Sequence, residues 1–399
     1  MSSESGKISQ LLESDRVNLS LLYVFIYASW AAWWSLFNVF LKEAGLTGLQ
    51  IGIVSSIAPV MMFIVQPFWG GVADRWGRKR LLLFSLFLSA VTILGYPFLK
   101  DFWAFLLWSV LFSVLLNPIY PIADSLALDY IEEKKSTSYG MLRIWGAIGW
   151  LSGAPLAGQM SGWRGLGMIF PVGAVLLLGA FFIARRIKTR ISKQGSLDVN
   201  FNNAGTVLRE RQLLVFLIFV LLISTGLNVI LTFYSVYMTE IGASSQLIGW
   251  AFSIQGLSEL PIYLISGLLI LRLGILRTVM MSFIFVTVRA FLYSIISEPA
   301  LAMAVELTHG FSIALLIVTS VEYINKLVPP KWRATGQSLF WAAIYGGGTV
   351  IGNISAGALY DYMTMQNVFR IFSVFLLIIL ILALFILRDR NLPSASDNR

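Results

Sequence analysis

The sequence contains no cysteine, a single histidine and few charged residues, and each shortage excludes a class of protein. Without cysteine there is no disulfide, no thiolate ligand and no cysteine nucleophile. One histidine argues against a multi-histidine metal centre. Charged residues make up 12% of the 399 positions, whereas soluble globular proteins carry about 25%. A soluble enzyme, a disordered chain and a disulfide-rich secreted domain are therefore excluded.

Hydrophobic residues are abundant instead, at 57% of the chain. They form twelve segments, each long enough to cross a hydrocarbon core of ~30 Å as a helix. The segments are 17–41, 51–73, 81–99, 102–130, 139–162, 166–184, 213–239, 247–271, 276–296, 300–324, 335–360 and 369–387. We therefore predict an all-α membrane protein. The start of the chain lacks the basic and short apolar regions of a cleavable signal peptide, and none is expected.

The net charge of +9 is explained by topology. With both termini placed in the cytoplasm, 23 of the 29 Lys and Arg residues fall in tails and loops on the cytoplasmic side. This asymmetry follows the positive-inside rule, so nucleic-acid binding is not needed to explain the basic excess. The chain is predicted to lie in a plasma membrane, the inner membrane of a bacterium.

The segments divide into two six-helix bundles of similar sequence. The prediction comprises a cytoplasmic tail 1–16, a bundle 17–184, a polar linker 185–212, a second bundle 213–387 and a cytoplasmic tail 388–399. Several residues of the first bundle recur 196 or 197 positions later: Gly70, Arg75 and Gly77 as Gly267, Arg272 and Gly274, and Gly140, Trp145 and Ile148 as Gly336, Trp341 and Ile344. Repeated halves with a substrate site between them are typical of secondary transporters.

The loop between the second and third segments reads GGVADRWGRKR, residues 70–80. Its glycines permit a tight turn and its charges permit ion pairs. It resembles the signature loop of the major facilitator superfamily, which implies that fold and a conformational latch rather than a substrate site. The implied latch residues are Gly70, Asp74, Arg75, Gly77, Arg78 and Arg80. Leu271 stands at the position of Asp74 in the second copy, so only the first loop is expected to form the full charged latch.

Ionisable residues inside membrane helices are costly and are functional candidates by default. Those present are Asp124, Asp129, Arg143, Glu259, Arg289, Glu306, His309 and Glu322. Asp129 and Glu322 lie near predicted cytoplasmic ends, where solvation or a loop partner is expected.

Asp124 and Arg143 are the predicted centre of the substrate site. Tyr120 precedes Asp124 by one helical turn, and Trp150 lies on the same helix stripe as Arg143. A guanidinium beside an indole suits a ligand with hydroxyl or carboxylate groups and an apolar face. An alternative is a structural Asp124–Arg143 ion pair, and both hold if substrate displaces part of that pair. Further candidates for substrate contact are Asn38, Trp341 and Tyr345.

Glu259, Arg289, Glu306 and His309 form the predicted proton-coupling cluster of the second bundle. Glu306 and His309 are three residues apart and therefore share a helix face. Histidine titrates near neutral pH, and burial disfavours an ionised glutamate. The alternative is that His309 is only a donor between helices.

Longer segments resemble the lactose permease and phenylpropionate permease branch of the superfamily. These are YGMLRIWGAIGW (139–150), ELTHGFSIALLIVTSVEYI (306–324), PIADSLALDY (121–130), SELPIYLISG (258–267) and RATGQSLFWAAIYGGG (333–348). The resemblance implies that Arg143 and Trp150 contact substrate and that Arg289 and His309 belong to a coupling network. Ser125, Ser312 and Gly256 replace acids of the lactose permease, so proton coupling would use Glu259, Glu306 or Asp124.

We therefore predict a monomeric secondary transporter with no enzymatic activity, no metal and no cofactor. Its energy source is a proton gradient, and its partners are protons, membrane lipids and a small-molecule substrate. Symport of a sugar or oligosaccharide is the first expectation, and a nucleoside or an aromatic acid is an alternative. A proton/drug antiporter, an exporter of a lipid-linked glycan and a non-transporting sensor are further alternatives.

Overall fold

Helices account for nearly all of the described chain, and no β-strand occurs in it. The computed structural model describes the backbone of residues 2–134, 139–188 and 209–387, and side chains in 15–132, 139–188 and 209–387. The predicted tail 388–399 and most of the predicted linker 185–212 lie outside these residues. The predicted all-α class is confirmed.

The helices of the first half are α1 (Ser2–Glu43), α2 (Gly48–Trp76), α3 (Arg78–Ile93), α4 (Phe102–Leu116), α5 (Ile119–Lys134), α6 (Tyr139–Arg164) and α7 (Ile169–Arg186). Those of the second half are α8 (Arg211–Glu240), α9 (Ser245–Leu273), α10 (Ile275–Ile295), α11 (Pro299–Val305), α12 (His309–Ser312), α13 (Ala314–Leu327), α14 (Arg333–Trp341), α15 (Thr349–Tyr360) and α16 (Met365–Ile386). Because α1 begins at Ser2, the backbone of the predicted tail 1–16 is mostly helical.

Among the described residues, ten helical spans are long and apolar enough to cross a membrane. They correspond to ten of the twelve predicted segments. The other two segments, 139–162 and 335–360, are also helical, in α6 and in α14 and α15. Twelve crossings therefore remain the prediction, and the multi-pass membrane character is confirmed.

The two halves repeat their turns at a fixed offset. Glycines with positive φ end helices at four related places, and each pair is 197 residues apart: Gly45 (+87°) with Gly242 (+90°), and Gly77 (+91°) with Gly274 (+84°). A residue with a Cβ is strained at such φ values. The internal repeat seen in the sequence therefore has a counterpart in backbone conformation.

Small residues bring the helices around the centre close together. Gly149 and Gly153 of α6 lie against the backbone of α1 at Val24 and Ala28, where an added Cβ would clash with carbonyl oxygens. Inside a membrane, such close approach gives the packing and polar contacts that hold helices together. It places α1 and α6 side by side.

Three membrane crossings are interrupted. The fourth breaks between α4 and α5 at Asn117 and Pro118, as the prolines there predict. The tenth contains a 3₁₀ turn, Glu306–Thr308, and the eleventh contains a π-helix, Ala342–Gly348. Irregular backbone at membrane depth is tolerated where it is buried in protein or lines a cavity.

The halves are joined toward one end of the bundle. Asp361 accepts hydrogen bonds from the backbone amides of Gly48 (2.5 Å) and Leu49 (3.1 Å), so a carboxylate of the second half caps α2 of the first. Lys42 pairs with Glu240 at 3.2 Å at the same end. This end lies opposite the basic loops. With the predicted orientation, these contacts join the halves on the outer side of the membrane.

Candidate functional site

Two groups of polar side chains face each other across the interface between the halves. We call Asp124, Arg143, Tyr23, Tyr27 and Tyr139 the N-half cluster. We call Glu259, Arg289, Tyr293, Glu306 and His309 the C-half cluster. The predicted substrate pair lies in the first group, and the four residues predicted for proton coupling lie in the second.

Asp124 and Arg143 form an ion pair, which is one of the two alternatives predicted from the sequence. The guanidinium donates to both carboxylate oxygens of Asp124 at 3.1 Å. The pair is not sealed off, because 46% of the Arg143 side chain and 29% of the Asp124 side chain are exposed. It therefore remains open to a ligand.

Tyrosines complete the N-half cluster. Tyr23 donates to Asp124 at 2.6 Å, and Arg143 donates to the Tyr139 hydroxyl at 2.8 Å. The Arg143 guanidinium also lies over the Tyr27 ring, 5.4 Å from its centroid, in cation–π geometry. Gly146 makes room for this ring, since an added Cβ would approach it to 3.0 Å.

An aromatic wall continues from the N-half cluster toward the second half. Tyr120 lies between Tyr27 (5.6 Å between ring centroids) and Trp30 (5.2 Å), and Trp30 packs edge-on against Trp150 at 5.3 Å. The structure thus brings together Tyr120 and Trp150 with the predicted ion pair. Aromatic faces beside charged hydrogen-bonding groups suit a ligand with a hydroxylated edge and an apolar face.

Trp150 also crosses between the halves. Its indole N–H donates to the Phe252 carbonyl of α9 at 3.1 Å. Its ring rests on Gly256, where an added Cβ would come within 2.7 Å of the indole. Gly256 therefore provides the space that the tryptophan fills.

The C-half cluster is built on a fully buried ion pair. Arg289 donates to Glu306 at 2.8 Å, and neither side chain is exposed. Tyr293 donates to the other Glu306 oxygen at 2.5 Å, and Arg289 donates to Ser312 at 2.8 Å. Both carboxylate oxygens of Glu306 are therefore engaged, one by the Arg289 cation and one by the Tyr293 hydroxyl.

His309 connects this buried pair to Glu259. Arg289 lies 3.2 Å from His309 Nδ1, and Glu259 lies 3.1 Å from His309 Nε2. A guanidinium only donates, so Nδ1 accepts and the ring proton resides on Nε2, which donates to Glu259. Glu259 is the accessible member, because 29% of its side chain is exposed against 4% for His309.

Trp341 and Tyr345 lie on the side of the C-half cluster. Their rings stack at 5.7 Å with an interplanar angle of 6°. Tyr345 lies within electrostatic range of Glu259. The π-helix that carries Tyr345 is a form frequent at functional sites.

Asn38 occupies a different environment from the other predicted substrate residues. It is buried, its amide donates to the Thr232 carbonyl at 2.6 Å, and its oxygen accepts from Ser55 at 2.8 Å. Both ends of the amide are thus engaged between α1, α2 and α8. The structure places Asn38 in the contact between the halves, two helical turns beyond Trp30.

The predicted latch loop lies at the end with the basic residues. Gly77 ends α2, and Arg78 pairs with Asp129 of α5 at 2.9 Å, so Asp129 has the loop partner expected for it. Asp74, Arg75 and Arg80 are exposed, as is Gly70. In this conformation the Arg78–Asp129 pair is the ion pair that the structure shows for the loop.

Several residues of the site were not anticipated from the sequence. Tyr23 and Tyr27 follow helical spacing along one stripe of α1, which is a signal that periodicity analysis can detect. Tyr293 follows Arg289 by one turn on α10 and points to Glu306. Its role depends on the fold between α10 and α11, which no local pattern predicts.

Among the described residues, no group of three or more His, Asp or Glu side chains has the arrangement of a metal site. In the N-half cluster Asp124 instead pairs with Arg143, and in the C-half cluster Glu306 pairs with Arg289 while Glu259 accepts from His309.

Comparisons with known proteins show the family and the fold. A family model described as MFS_1 like family matches residues 16–371. The maltose permease of Geobacillus stearothermophilus is 28% identical over 381 residues, covering 93% of this chain and 94% of the permease. The probable 3-phenylpropionic acid transporter of Escherichia coli (strain K12) is 24% identical over 350 residues, covering 86% of this chain and 89% of that protein.

Among solved structures, the nucleoside transporter NupG matches with a TM-score of 0.85 at 19% identity. The match covers 94% of this chain and 99% of that one. It shows that the two chains share their fold.

Proposed function

The chain belongs to the MFS_1 like family and is a membrane transporter, and on this premise we propose that it is a proton-coupled symporter importing a small hydroxylated solute by alternating access. A sugar or oligosaccharide is the first candidate. The resemblance to the major facilitator superfamily read from residues 70–80 is confirmed by this membership. Substrate and coupling are the proposed part.

The N-half cluster and aromatic wall support a sugar. A sugar ring has hydroxyls that pair with Arg143 and Asp124, and an apolar face that stacks on Trp30, Tyr120 or Trp150. The substrate would exchange part of the Asp124–Arg143 pair for its own hydroxyls. The 28% identity with the maltose permease over nearly the whole chain favours the same class.

Glu259 is the proposed proton carrier. Both oxygens of Glu306 are occupied by Arg289 and Tyr293, and His309 Nδ1 is in contact with Arg289. Glu259 faces neither restriction, and 29% of its side chain is exposed. Protonation would neutralise it and weaken its bond to His309, which changes the charge of the cluster between the inward and outward conformations.

The observation that carries this proposal is that the Asp124–Arg143 pair and the partly exposed acid Glu259 lie at the same interface between the halves. Trp150 lies on α6 two turns from Arg143, and its indole contacts Phe252 and Gly256 of α9, the helix that carries Glu259. Substrate and proton sites that share an interface can be linked by one conformational change.

Counterflow and uphill uptake in proteoliposomes separate binding from coupling. We expect Glu259→Gln and His309→Ala to retain counterflow of the transported sugar but to lose accumulation driven by a proton gradient. Glu322→Gln, an exposed acid on α13 outside the C-half cluster, is the matched control and should accumulate normally. Uphill accumulation by Glu259→Gln at the wild-type level would overturn the coupling role.

The same assay distinguishes the other substrate classes. The panel contains a disaccharide, a nucleoside and an aromatic acid, each with and without the gradient. Uptake of the nucleoside or the acid alone would contradict the sugar assignment, and efflux driven by the gradient would favour an antiporter.

A further inference from the structure

Tyr263 lies one helical turn beyond Glu259 on α9, between the two clusters. Its hydroxyl donates to Glu259 Oε2 at 3.4 Å, while the other oxygen of Glu259 contacts His309 at 3.1 Å. The tyrosine is 45% exposed. Hydrogen bonds between hydroxyl and carboxylate groups usually measure about 2.5–3.0 Å, so this contact is weak and easily exchanged.

The charged and titratable groups around Glu259 come from several elements. His309 approaches from α12, Tyr263 from α9 itself and Tyr345 from the π-helix. Arg143 of α6 lies at the same interface, because Trp150, two turns further along α6, packs on Gly256, two turns before Tyr263 on α9. The Tyr263 hydroxyl therefore lies where it can serve either the acid or a ligand bound at Arg143.

We propose that Tyr263 is a positioning residue that links substrate occupancy to protonation of Glu259. This inference rests on the proposed function. In the empty transporter, the tyrosine donates to the Glu259 carboxylate and favours its ionised form. A bound substrate offers an acceptor oxygen, the hydroxyl turns to it, and Glu259 loses this donor and takes up a proton.

The effect is reciprocal. Protonation of Glu259 weakens its bond with the hydroxyl, which frees Tyr263 to bind substrate, so proton and substrate favour one another. Protonation forms one O–H bond on Glu259 and breaks one in the hydronium ion that delivers the proton, which becomes water; otherwise only hydrogen bonds change. Tyr263 thus couples substrate binding to protonation of Glu259, which symport requires.

The test is Tyr263→Phe, which keeps the ring and removes the hydroxyl. In the wild type we expect the counterflow KM for the sugar to rise with pH as Glu259 ionises. In the variant this pH dependence flattens, and the accumulation ratio falls by about fivefold or more, the lower end of measured coupling factors. Tyr237→Phe is the control, because that hydroxyl donates to the Ile296 carbonyl away from Glu259.

The outcomes separate this inference from the proposed function. If Glu259→Gln abolishes accumulation but Tyr263→Phe keeps the wild-type pH profile and ratio, the role of Tyr263 is wrong and the symport proposal stands. If Glu259→Gln itself accumulates normally, the proposed function fails. Tyr263→Leu removes the same hydroxyl and is measured if the phenylalanine variant does not fold.

Discussion

At the scale of single residues, the ionisable side chains inside the bundle form two groups of different character. The Arg289–Glu306 pair is sealed, whereas Asp124, Arg143 and Glu259 remain partly exposed. A buried pair stabilises only while both partners are present. The exposed charges are free to exchange partners with a ligand or a proton, so they carry the proposed function.

We expect Arg143→Ala to weaken substrate binding. Loss of a charged hydrogen-bond donor costs ~1.5–3 kcal/mol, which raises the counterflow KM about ten- to a hundredfold. Asp124→Asn removes the ion pair and should act in the same direction. The control is Arg277→Ala, an exposed arginine beyond Gly274. An unchanged KM in both site variants would contradict the N-half cluster as the substrate site.

Glu306→Ala is expected to lower stability rather than coupling alone. It leaves the Arg289 guanidinium buried without a counter-charge, at a cost of about 3–5 kcal/mol. The measurement is the thermal unfolding temperature of the purified protein in detergent, which should fall well below that of the wild type. The double variant Arg289→Ala/Glu306→Ala should recover part of the loss. A wild-type unfolding temperature for Glu306→Ala would contradict the buried pair.

The sequence predicted charged residues of the site better than neutral ones. Asp124, Arg143, Glu259 and His309 were identifiable because each is costly in a membrane. Tyr23 and Tyr293 were not, because tyrosine is unremarkable in a hydrophobic helix and their partners are 101 and 13 residues away in the chain. Asn38, predicted as a substrate contact, has its amide engaged by Ser55 and Thr232.

At the scale of helices, interrupted segments carry part of the site, including Asp124, Glu306, His309 and Tyr345. The break near Pro118 could be predicted because proline ends or kinks a helix. The π-helix Ala342–Gly348 and the 3₁₀ turn Glu306–Thr308 could not, since their sequences contain no proline and depend on packing against other helices.

Close packing of α1 against α6 should depend on Gly153. A valine there meets the Ala28 backbone and pushes the helices apart, which typically costs ~1–3 kcal/mol. We expect Gly153→Val to lower the thermal unfolding temperature and reduce transport. Gly267→Val is the matched control, since a Cβ at this helical glycine meets no atom within 4 Å. Equal unfolding temperatures for the two variants would show that this contact is unimportant.

At the scale of the whole molecule, the halves meet near the predicted outer end, and the predicted latch lies at the other. Hydropathy and the repeat predicted the all-α transporter fold, because both follow from the bilayer. The conformation could not be predicted, since it depends on contacts such as Asp361 with the start of α2, which join residues more than 300 positions apart.

Asp361→Asn should weaken closure of the outer end. The Asp361 carboxylate of the second half caps α2 of the first. Loss of its charge removes ~1–3 kcal/mol of stabilisation from the conformation in which the halves meet at the outer end. Because the chain lacks cysteine, spin labels attach only to cysteines that are introduced. We place them by Trp103→Cys and Tyr362→Cys, at two well exposed positions. We expect longer distances between the labels in this variant.

Asp101→Asn is the control for this measurement. Asp101 caps α4 through the Ala104 amide at 3.0 Å, but within one half of the molecule. Its loss should leave the distances unchanged. Identical distributions for Asp361→Asn and the wild type would show that the cap does not hold the halves together.

Solute-driven proton movement tests symport most directly. Proteoliposomes in weakly buffered medium receive a disaccharide at zero membrane potential, and the external pH is recorded. Proton-coupled symport predicts a transient rise of external pH that a protonophore abolishes and that Glu259→Gln lacks. Entry of the disaccharide with no change of external pH would contradict it.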